Sequence, residues 1–229
     1  MKIRLIMISA VMVSVLLAVL SGMDALARTA ESGEDEGQDF RFRGYVGGMM
    51  LHTGYISSPR FTIGVNDGAG GIPVRVKGAA FGIGGQVKFA FGTETDMIRI
   101  GSEGHSSSVS YRPSPSYAHT GWGGILVDYI RHTKGRIHPY IGVTVGGGGV
   151  KNHIIADGST SDFVSEPCAA MRKYAFMAAA PFIGVEIGLT PKLSLSVKAD
   201  WLFNLTGRQP DFSSGPRLYV GIMFNRLQK

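Results

Sequence analysis

Apolar and polar residues alternate along the chain from Phe40 onward, and helical periodicity is nearly absent. Because successive side chains of a β-strand point to opposite faces, a period of two predicts strands. Each segment with this pattern is long enough to cross a bilayer as a tilted strand, for which about 9 to 11 residues suffice. The eight predicted strands are residues 40–52, 78–91, 97–108, 120–132, 137–148, 174–189, 192–204 and 216–226.

The connections between the predicted strands alternate in length. The long ones are residues 53–77, 109–120, 149–173 and 205–215, and the short ones are 92–96, 133–136 and 189–192. Up-and-down antiparallel barrels of outer membranes have this arrangement, with long external loops and short periplasmic turns. A soluble β-sandwich or a lipocalin-like barrel is the alternative, and the chemistry of the two strand faces separates these folds.

One face of each strand is aliphatic or aromatic, whereas the other mixes glycine with polar and charged residues. In the strand 192–204 the two sets are Leu193, Leu195, Val197, Ala199, Trp201 and Phe203 against Ser194, Ser196, Lys198 and Asp200. Eight strands enclose a narrow lumen that small and polar side chains fill better than bulky apolar ones. Aromatic residues near the strand ends suit the two membrane interfaces; they are Tyr129, Trp201, Phe203 and Phe224. We therefore predict an all-β fold, an eight-stranded antiparallel up-and-down transmembrane β-barrel with its apolar face towards lipid.

In this barrel the charged strand residues point into the lumen. An isolated buried ion costs several kcal/mol, so these charges must pair. Both signs are present, and a salt-bridge network that plugs the barrel is the expected result. The predicted inward set is Arg41, Arg43, Lys88, Arg99, Asp128, Glu186, Lys198, Asp200 and Arg217.

The N-terminus has the features of a secretory signal peptide. MKIR supplies positive charge, the run from Leu5 to Leu20 is apolar, and Ala25-Leu26-Ala27 is a small-x-small cleavage site. We predict a signal peptide at 1–27 cleaved after Ala27, a flexible acidic segment at 28–39, and a barrel domain at 40–229. The expected location is the bacterial outer membrane.

Composition excludes several other classes. The single cysteine, Cys168, rules out an internal disulfide framework and a multi-cysteine metal site. The formal net charge of +6 is mild and is not gathered into a basic stripe, so no nucleic-acid partner is predicted.

Two stretches near the C-terminus resemble a known family. Tyr219-x-Gly221-Ile222-x-Phe224 is similar to the C-terminal assembly signal of outer-membrane barrels, although NRLQK follows the aromatic residue that usually ends it. GVEIGLTPKLSLSVKADW resembles a hairpin of the OmpA-like and opacity-protein-like eight-stranded family. The resemblance implies the barrel-assembly machinery and periplasmic chaperones as partners during export.

Few residues suggest catalysis. Glu103, His105 and Ser107 stand at alternate positions, a residue set that a hydrolase would use. Neighbours two apart on a strand lie about 6.5 to 7 Å apart, which is too far for direct hydrogen bonds, so a polar loop base is expected. His132 and His138 flank a short turn and are interpreted as ordinary turn residues. We predict no catalytic residue, no cofactor and no metal.

The basic residues of the long connections are candidates for contact with lipopolysaccharide phosphates, with simple solvation as the alternative. They are Arg60, Arg75, Arg112, Lys151, Arg172, Lys173 and Arg208. The predicted function is therefore a non-enzymatic outer-membrane barrel with a plugged lumen. It has a structural role in the envelope, surface binding through four external loops, or both, and its partners are outer-membrane lipid, lipopolysaccharide and a loop ligand. The alternatives are a lipid A-modifying enzyme of deacylase or acyltransferase type and a small pore.

Overall fold

The computed structural model describes residues 41–63, 72–112, 116–155, 169–207 and 209–227. The predicted signal peptide and acidic segment, Cys168 and Arg208 lie outside these residues. Within the described ranges there is no helix that is long and apolar enough to cross a membrane.

The described residues form eleven strands. Their bounds are β1 Arg41–Ser57, β2 Phe61–Ile63, β3 Ile72–Val74, β4 Lys77–Gly92, β5 Asp96–Ser110, β6 Tyr117–Arg131, β7 Ile137–Ile155, β8 Ala169–Thr190, β9 Leu193–Trp201, β10 Phe203–Asn204 and β11 Pro216–Leu227.

Eight of these strands close into a ring of antiparallel pairs. Strands β1, β4, β5, β6, β7, β8 and β9 follow one another around the wall, and β11 lies between β9 and β1. The short β10 pairs with β8 beyond the end of β9, and β2 pairs with β3 as a separate hairpin. The fold is thus the predicted eight-stranded up-and-down barrel, and closure satisfies the backbone groups of both edges.

Several strands extend beyond their predicted ends on the side of the long connections. β1 reaches Ser57, β7 reaches Ile155, and β8 already begins at Ala169. β5 and β6 also remain paired up to Ser110 and Tyr117, so their connection is only residues 111–116, not the long loop that was predicted. Hydrophobic alternation does not detect the last residues of these two strands, because polar residues such as Ser110 and His119 lie next to the predicted ends at 108 and 120.

The outer wall is apolar and the interior is polar. Met49, Leu51 and Ile125 are each about two-thirds exposed, whereas Lys88 and Asp128 are fully buried. Two exposed aromatics mark opposite ends of the wall: Trp201 ends β9, and Phe224 pairs with the first residue of β9. A water-soluble barrel has the reverse distribution, so the wall matches the band that a hydrocarbon layer requires.

The interior is also layered, which the sequence did not predict. At the long-connection end, Phe61 and Val74 of the β2–β3 hairpin pack against inward residues of the wall, including Ile56 and Ile154. A second apolar cluster contains Trp122, Phe176 and Phe212. Apolar clusters therefore share the interior with the charged residues, and an apolar cap covers the long-connection end.

Candidate functional site in the barrel interior

The first charge cluster is centred on Asp128. Arg99 donates to both carboxylate oxygens of Asp128, at 2.6 and 3.0 Å, and Lys88 Nζ donates to Oδ2 at 2.7 Å. Arg99 Nη1 also donates to Glu186 Oε1 at 2.6 Å, which links the strand β5 to β8 across the lumen. Arg99 and Asp128 are direct cross-strand partners, so the sheet register itself places the pair together.

The aromatic ring of Tyr140 lies beside the same cluster. Lys88 Nζ is 4.8 Å from the ring centroid, and the Arg99 guanidinium carbon is 5.2 Å from it. The Tyr140 hydroxyl shares a hydrogen bond of 2.8 Å with Ser196. Two cations, two carboxylates and an aromatic face therefore form a compact neutral group.

A second cluster joins Lys198 to Glu103. Lys198 Nζ donates to Glu103 Oε2 at 2.5 Å, and Thr144 Oγ1 donates to Oε1 at 2.7 Å. The ammonium group also lies 4.6 Å from the Tyr219 ring and 4.9 Å from the Phe182 ring. Both oxygens of the Glu103 carboxylate are thus occupied by partners within the barrel.

The third cluster is a bidentate pair. Arg217 Nε and Nη2 donate to the two oxygens of Asp200 at 2.7 and 2.8 Å, and the two residues are cross-strand partners. The guanidinium also lies 5.0 Å from the Trp122 ring. Planar bidentate geometry of this kind is the strongest form of an arginine–carboxylate contact.

The predicted inward set is distributed unevenly. Seven of its members form the three clusters, and Arg43 is buried apart from them, where its Nε donates to the Gly92 carbonyl at 3.0 Å. Arg41 was predicted to point into the lumen, but its side chain is exposed. The reason is its position as the first residue of β1, below a bulge between Phe42 and Gly44 that interrupts the alternation.

Sequence reasoning missed Glu103 as an interior charge. The residue lies four positions after Arg99 on the same face of β5, and it is only 5% exposed. Extending the Arg99 face along the strand would have identified it, but the polar sequence around it predicted a loop base. Thr144 and Tyr140, which carry no charge, gave no comparable signal.

The Glu103, His105 and Ser107 set is also arranged differently from the expectation. His105 Nε2 lies 3.3 Å from Glu103 Oε2, so the two side chains do approach each other, contrary to the separation argued from strand spacing. Both are buried, and the His105 ring packs against Tyr219 at 4.8 Å between centroids. No hydrogen bond connects Ser107 to His105 in the described part of the chain, and the arrangement lacks an activated nucleophile.

The two turn histidines lie at the short-turn end of the barrel. The rings of His132 and His138 are 4.5 Å apart between centroids. Burial, followed by the neighbouring His138 and Arg99, lowers the pKa of His132 from 6.5 to about 4. Across the described ranges, no three histidine, cysteine or acidic side chains gather in a way that could hold a metal ion.

The stretch that resembles an assembly signal lies on β11. Tyr219 and Gly221 are buried, whereas Ile222 and Phe224 are exposed on the outer wall. The strand continues past Phe224 to Leu227, which pairs with Gly44 of β1. The first residues after the aromatic position are therefore part of the wall.

Three of the basic residues assigned to long loops are strand residues. Lys151 lies on β7, and Arg172 and Lys173 lie on β8, because these two strands pair as far as Ile155 and Ala169. Arg172 Nη2 is 3.2 Å from the buried carboxylate of Asp211. The connections do contain Arg60, Arg75 and Arg112, and Arg75 Nε donates to the Ser58 carbonyl at 3.0 Å.

No protein-family model matches the chain, and no curated protein matches it in sequence. Among solved structures it is similar to Neisserial surface protein A, with 13% identity, a TM-score of 0.53, and coverage of 81% of this chain and 99% of that one. It is also similar to Ail, the attachment invasion locus protein of Yersinia pestis, with 9% identity, a TM-score of 0.49, and coverage of 80% and 98%. The outer membrane protein OprG from Pseudomonas aeruginosa gives 12% identity, a TM-score of 0.47, and coverage of 82% and 97%. Only the first likeness is strong enough to carry an argument, and at this identity it shows the fold alone.

Proposed function

We propose that this barrel resides in the bacterial outer membrane and acts there without catalysis, as a structural component of the envelope and through surface binding at its long-connection end. The observation that carries the proposal is the inverted distribution of polarity. Exposed aliphatic residues surround a closed wall, and four buried cations are paired with four buried carboxylates inside it. Such a molecule is suited to hydrocarbon outside and needs no aqueous channel inside.

The orientation follows from the general rule for this class of barrel. Short turns face the periplasm and longer connections face the cell exterior. The end that holds the β2–β3 hairpin and the residues 205–215 is then the external end, and it is where a ligand would bind, since loops on a rigid scaffold commonly carry recognition. Export would use the signal peptide at 1–27, and folding would use chaperones and the assembly machinery.

Fractionation of a Gram-negative host that expresses the full chain tests the location. The protein is expected in the outer-membrane fraction, with a mature N-terminus at Arg28. Its unboiled form should migrate differently from its boiled form on a detergent gel, because a closed barrel resists the detergent until it is heated. A chain that lacks residues 2–27 is the control and should remain in the cytoplasm. Recovery of the full chain in the soluble fraction, or identical mobility before and after boiling, contradicts the proposal.

The enzymatic alternative is disfavoured by the state of Glu103. Its carboxylate is held by Lys198 and Thr144 inside the barrel, so it lacks a free oxygen for general-base work. Mass spectrometry of lipid A from cells with and without the protein should therefore give identical acylation patterns. Loss or gain of an acyl chain that depends on the protein would instead establish the lipid A-modifying function.

A further inference from the structure

A cavity opens on the outer wall near the long-connection ends of β6, β7 and β8. Its volume is about 590 Å³. Its lining includes His119, Gly121, Gly149, Lys151, Lys173 and Ala175. The cavity faces away from the charged interior and belongs to none of the three clusters described above.

The upper edge of this cavity is a row of basic side chains. Lys151 of β7 is the direct cross-strand partner of Lys173 on β8, and on its other side it is the partner of His119 on β6. All three side chains are exposed. Like charges that stand directly opposite each other on a sheet are destabilising, because their Cβ atoms are only about 4.5 to 5.5 Å apart.

No described carboxylate offsets this repulsion. Within residues 41–63, 72–112, 116–155, 169–207 and 209–227, no acidic side chain forms an ion pair with Lys151 or Lys173. His119 is held in place by the hydroxyl groups of Ser106 and Ser108, at 3.2 and 2.9 Å. An anionic group placed between the two lysines would convert a repulsive pair into two charge-assisted contacts.

The floor of the cavity lies one level nearer to the middle of the wall. Gly121, Gly149 and Ala175 are in register across the same three strands, and they leave the wall without bulky side chains at this level. A Cβ atom at Gly121 would meet no other atom within 4 Å, so the space above it is open. Further along the same strands the outward side chains become large and apolar, with Met177 59% and Ile125 67% exposed.

We propose that this cavity binds a phosphorylated lipid, with the phosphate between Lys151 and Lys173 and an acyl chain along the glycine floor towards Met177. Along the wall, the basic side chains come first, then the open glycine floor, then the apolar side chains. A phosphorylated lipid has the same order, with the charged headgroup followed by the acyl chain. The occupant is the lipid A part of lipopolysaccharide, since the long-connection end faces the outer leaflet. That choice of leaflet rests on the proposed function, whereas the phosphate and acyl-chain chemistry rests on the cavity.

Binding of purified diphosphorylated lipid A to the refolded full chain in zwitterionic micelles tests the site, with native mass spectrometry as the readout. The double variant K151Q/K173Q is expected to bind at least tenfold more weakly, because two hydrogen bonds to a charged group are lost. The matched control is K134Q/K192Q, which removes the same charge from exposed lysines at the short-turn end. Affinities of the two double variants within twofold of each other overturn the proposal.

Two further measurements separate the parts of the site. The variant Gly121→Leu should weaken lipid A binding, because the leucine side chain fills the floor of the cavity while both lysines remain. An unchanged affinity would overturn the acyl-chain part of the proposal. Dephosphorylated lipid A should bind as weakly to the native chain as lipid A binds to K151Q/K173Q. Phosphatidylglycerol that binds as tightly as lipid A would overturn the assignment to lipopolysaccharide.

The outcomes remain distinguishable from those of the fractionation experiment. Each variant is first tested for gel mobility before and after boiling, so that a folding defect is not mistaken for a binding defect. Loss of binding in K151Q/K173Q, for a protein that does not fractionate with the outer membrane, would support the site and reject the location. Normal fractionation with equal binding by both double variants would support the location and reject the site.

Discussion

At the scale of single residues, Asp128 is a buried carboxylate that is paired with two buried cations. It accepts hydrogen bonds from Lys88 and from two nitrogens of Arg99, and all three side chains are at most 2% exposed. The effect of such a carboxylate on the free energy of unfolding comes mainly from the buried cations that would lose their partner if it were removed. Without it, Lys88 and Arg99 share Glu186 as their one remaining counter-ion in the cluster, and the uncompensated buried charge is far more costly than the loss of an ion pair at the surface.

The substitution Asp128→Asn should therefore lower the free energy of unfolding by about 3 to 5 kcal/mol. Urea unfolding of the refolded barrel, followed by tryptophan fluorescence, measures the change. Glu94→Gln is the control, because Glu94 is 65% exposed and only 4.0 Å from Arg43. Because the Glu94 carboxylate faces solvent and its contact with Arg43 is long, its loss should cost about 0 to 1 kcal/mol. Equal effects of the two substitutions would show that Asp128 does not hold the cluster.

His132 makes stability depend on pH at the short-turn end. Its pKa is lowered to about 4 in the folded barrel by burial, by His138 and by Arg99, and Glu186 and Asp96 act in the opposite direction. The unfolded chain therefore takes up this proton first as the pH falls, which favours unfolding between pH 6.5 and 4. Urea midpoints measured across this range should fall less steeply for His132→Gln than for the native chain. Equal slopes for the two proteins would show that His132 does not contribute to this loss of stability.

At the scale of strands, closure depends on close contact between β1 and β11. Eleven residues of β1, from Gly44 to Gly54, are paired with β11. Gly48 is one of the glycines that make this approach tight, because a Cβ atom there would overlap the carbonyl oxygen of Ile222. Another is Gly221, where a Cβ atom would overlap the carbonyl oxygen of Met49.

Gly48→Val should thus impair closure of the barrel, and Gly121→Ala should not, because no atom lies within 4 Å of a Cβ at Gly121. The fraction that shows heat-modifiable mobility after refolding measures closure. A Gly48→Val chain that refolds as completely as Gly121→Ala would mean that β1 and β11 can separate without loss of the barrel.

At the scale of the whole molecule, buried side chains occupy the barrel interior. Two charge clusters cross the lumen, a third joins neighbouring strands inside it, and an apolar cap that includes Phe61 and Val74 covers the long-connection end. Eight strands leave an interior that side chains just fill. We therefore expect no continuous aqueous path through the barrel.

Planar-bilayer recording of the purified native protein should give no steady conductance. The Asp128→Asn chain in the same bilayers provides a comparison in which one cluster is weakened, and any current should be larger there. Steady ohmic steps from the native protein would contradict a plugged lumen and support the small-pore alternative.

Sequence alone was sufficient for the eight wall strands, the direction of their apolar faces and the burial of Lys88, Arg99 and Asp128. All of these follow from a period of two in a single chain, which is a local property. It was not sufficient for the strand extensions at 109–110 and 117–119, where polar residues interrupt the alternation. Nor did it assign Arg41 to the exposed rim, because a bulge depends on the pairing partner.

Only the tertiary structure decided which charges meet. Lys198 pairs with Glu103 of β5, not with a neighbour on its own hairpin, and Arg99 reaches Glu186 across the lumen. The same holds for the outer row of Lys151 and Lys173, whose opposition exists only in the register between β7 and β8. The physical reason is that alternation states which face a side chain occupies, whereas the curvature and register of the closed sheet determine what lies opposite it.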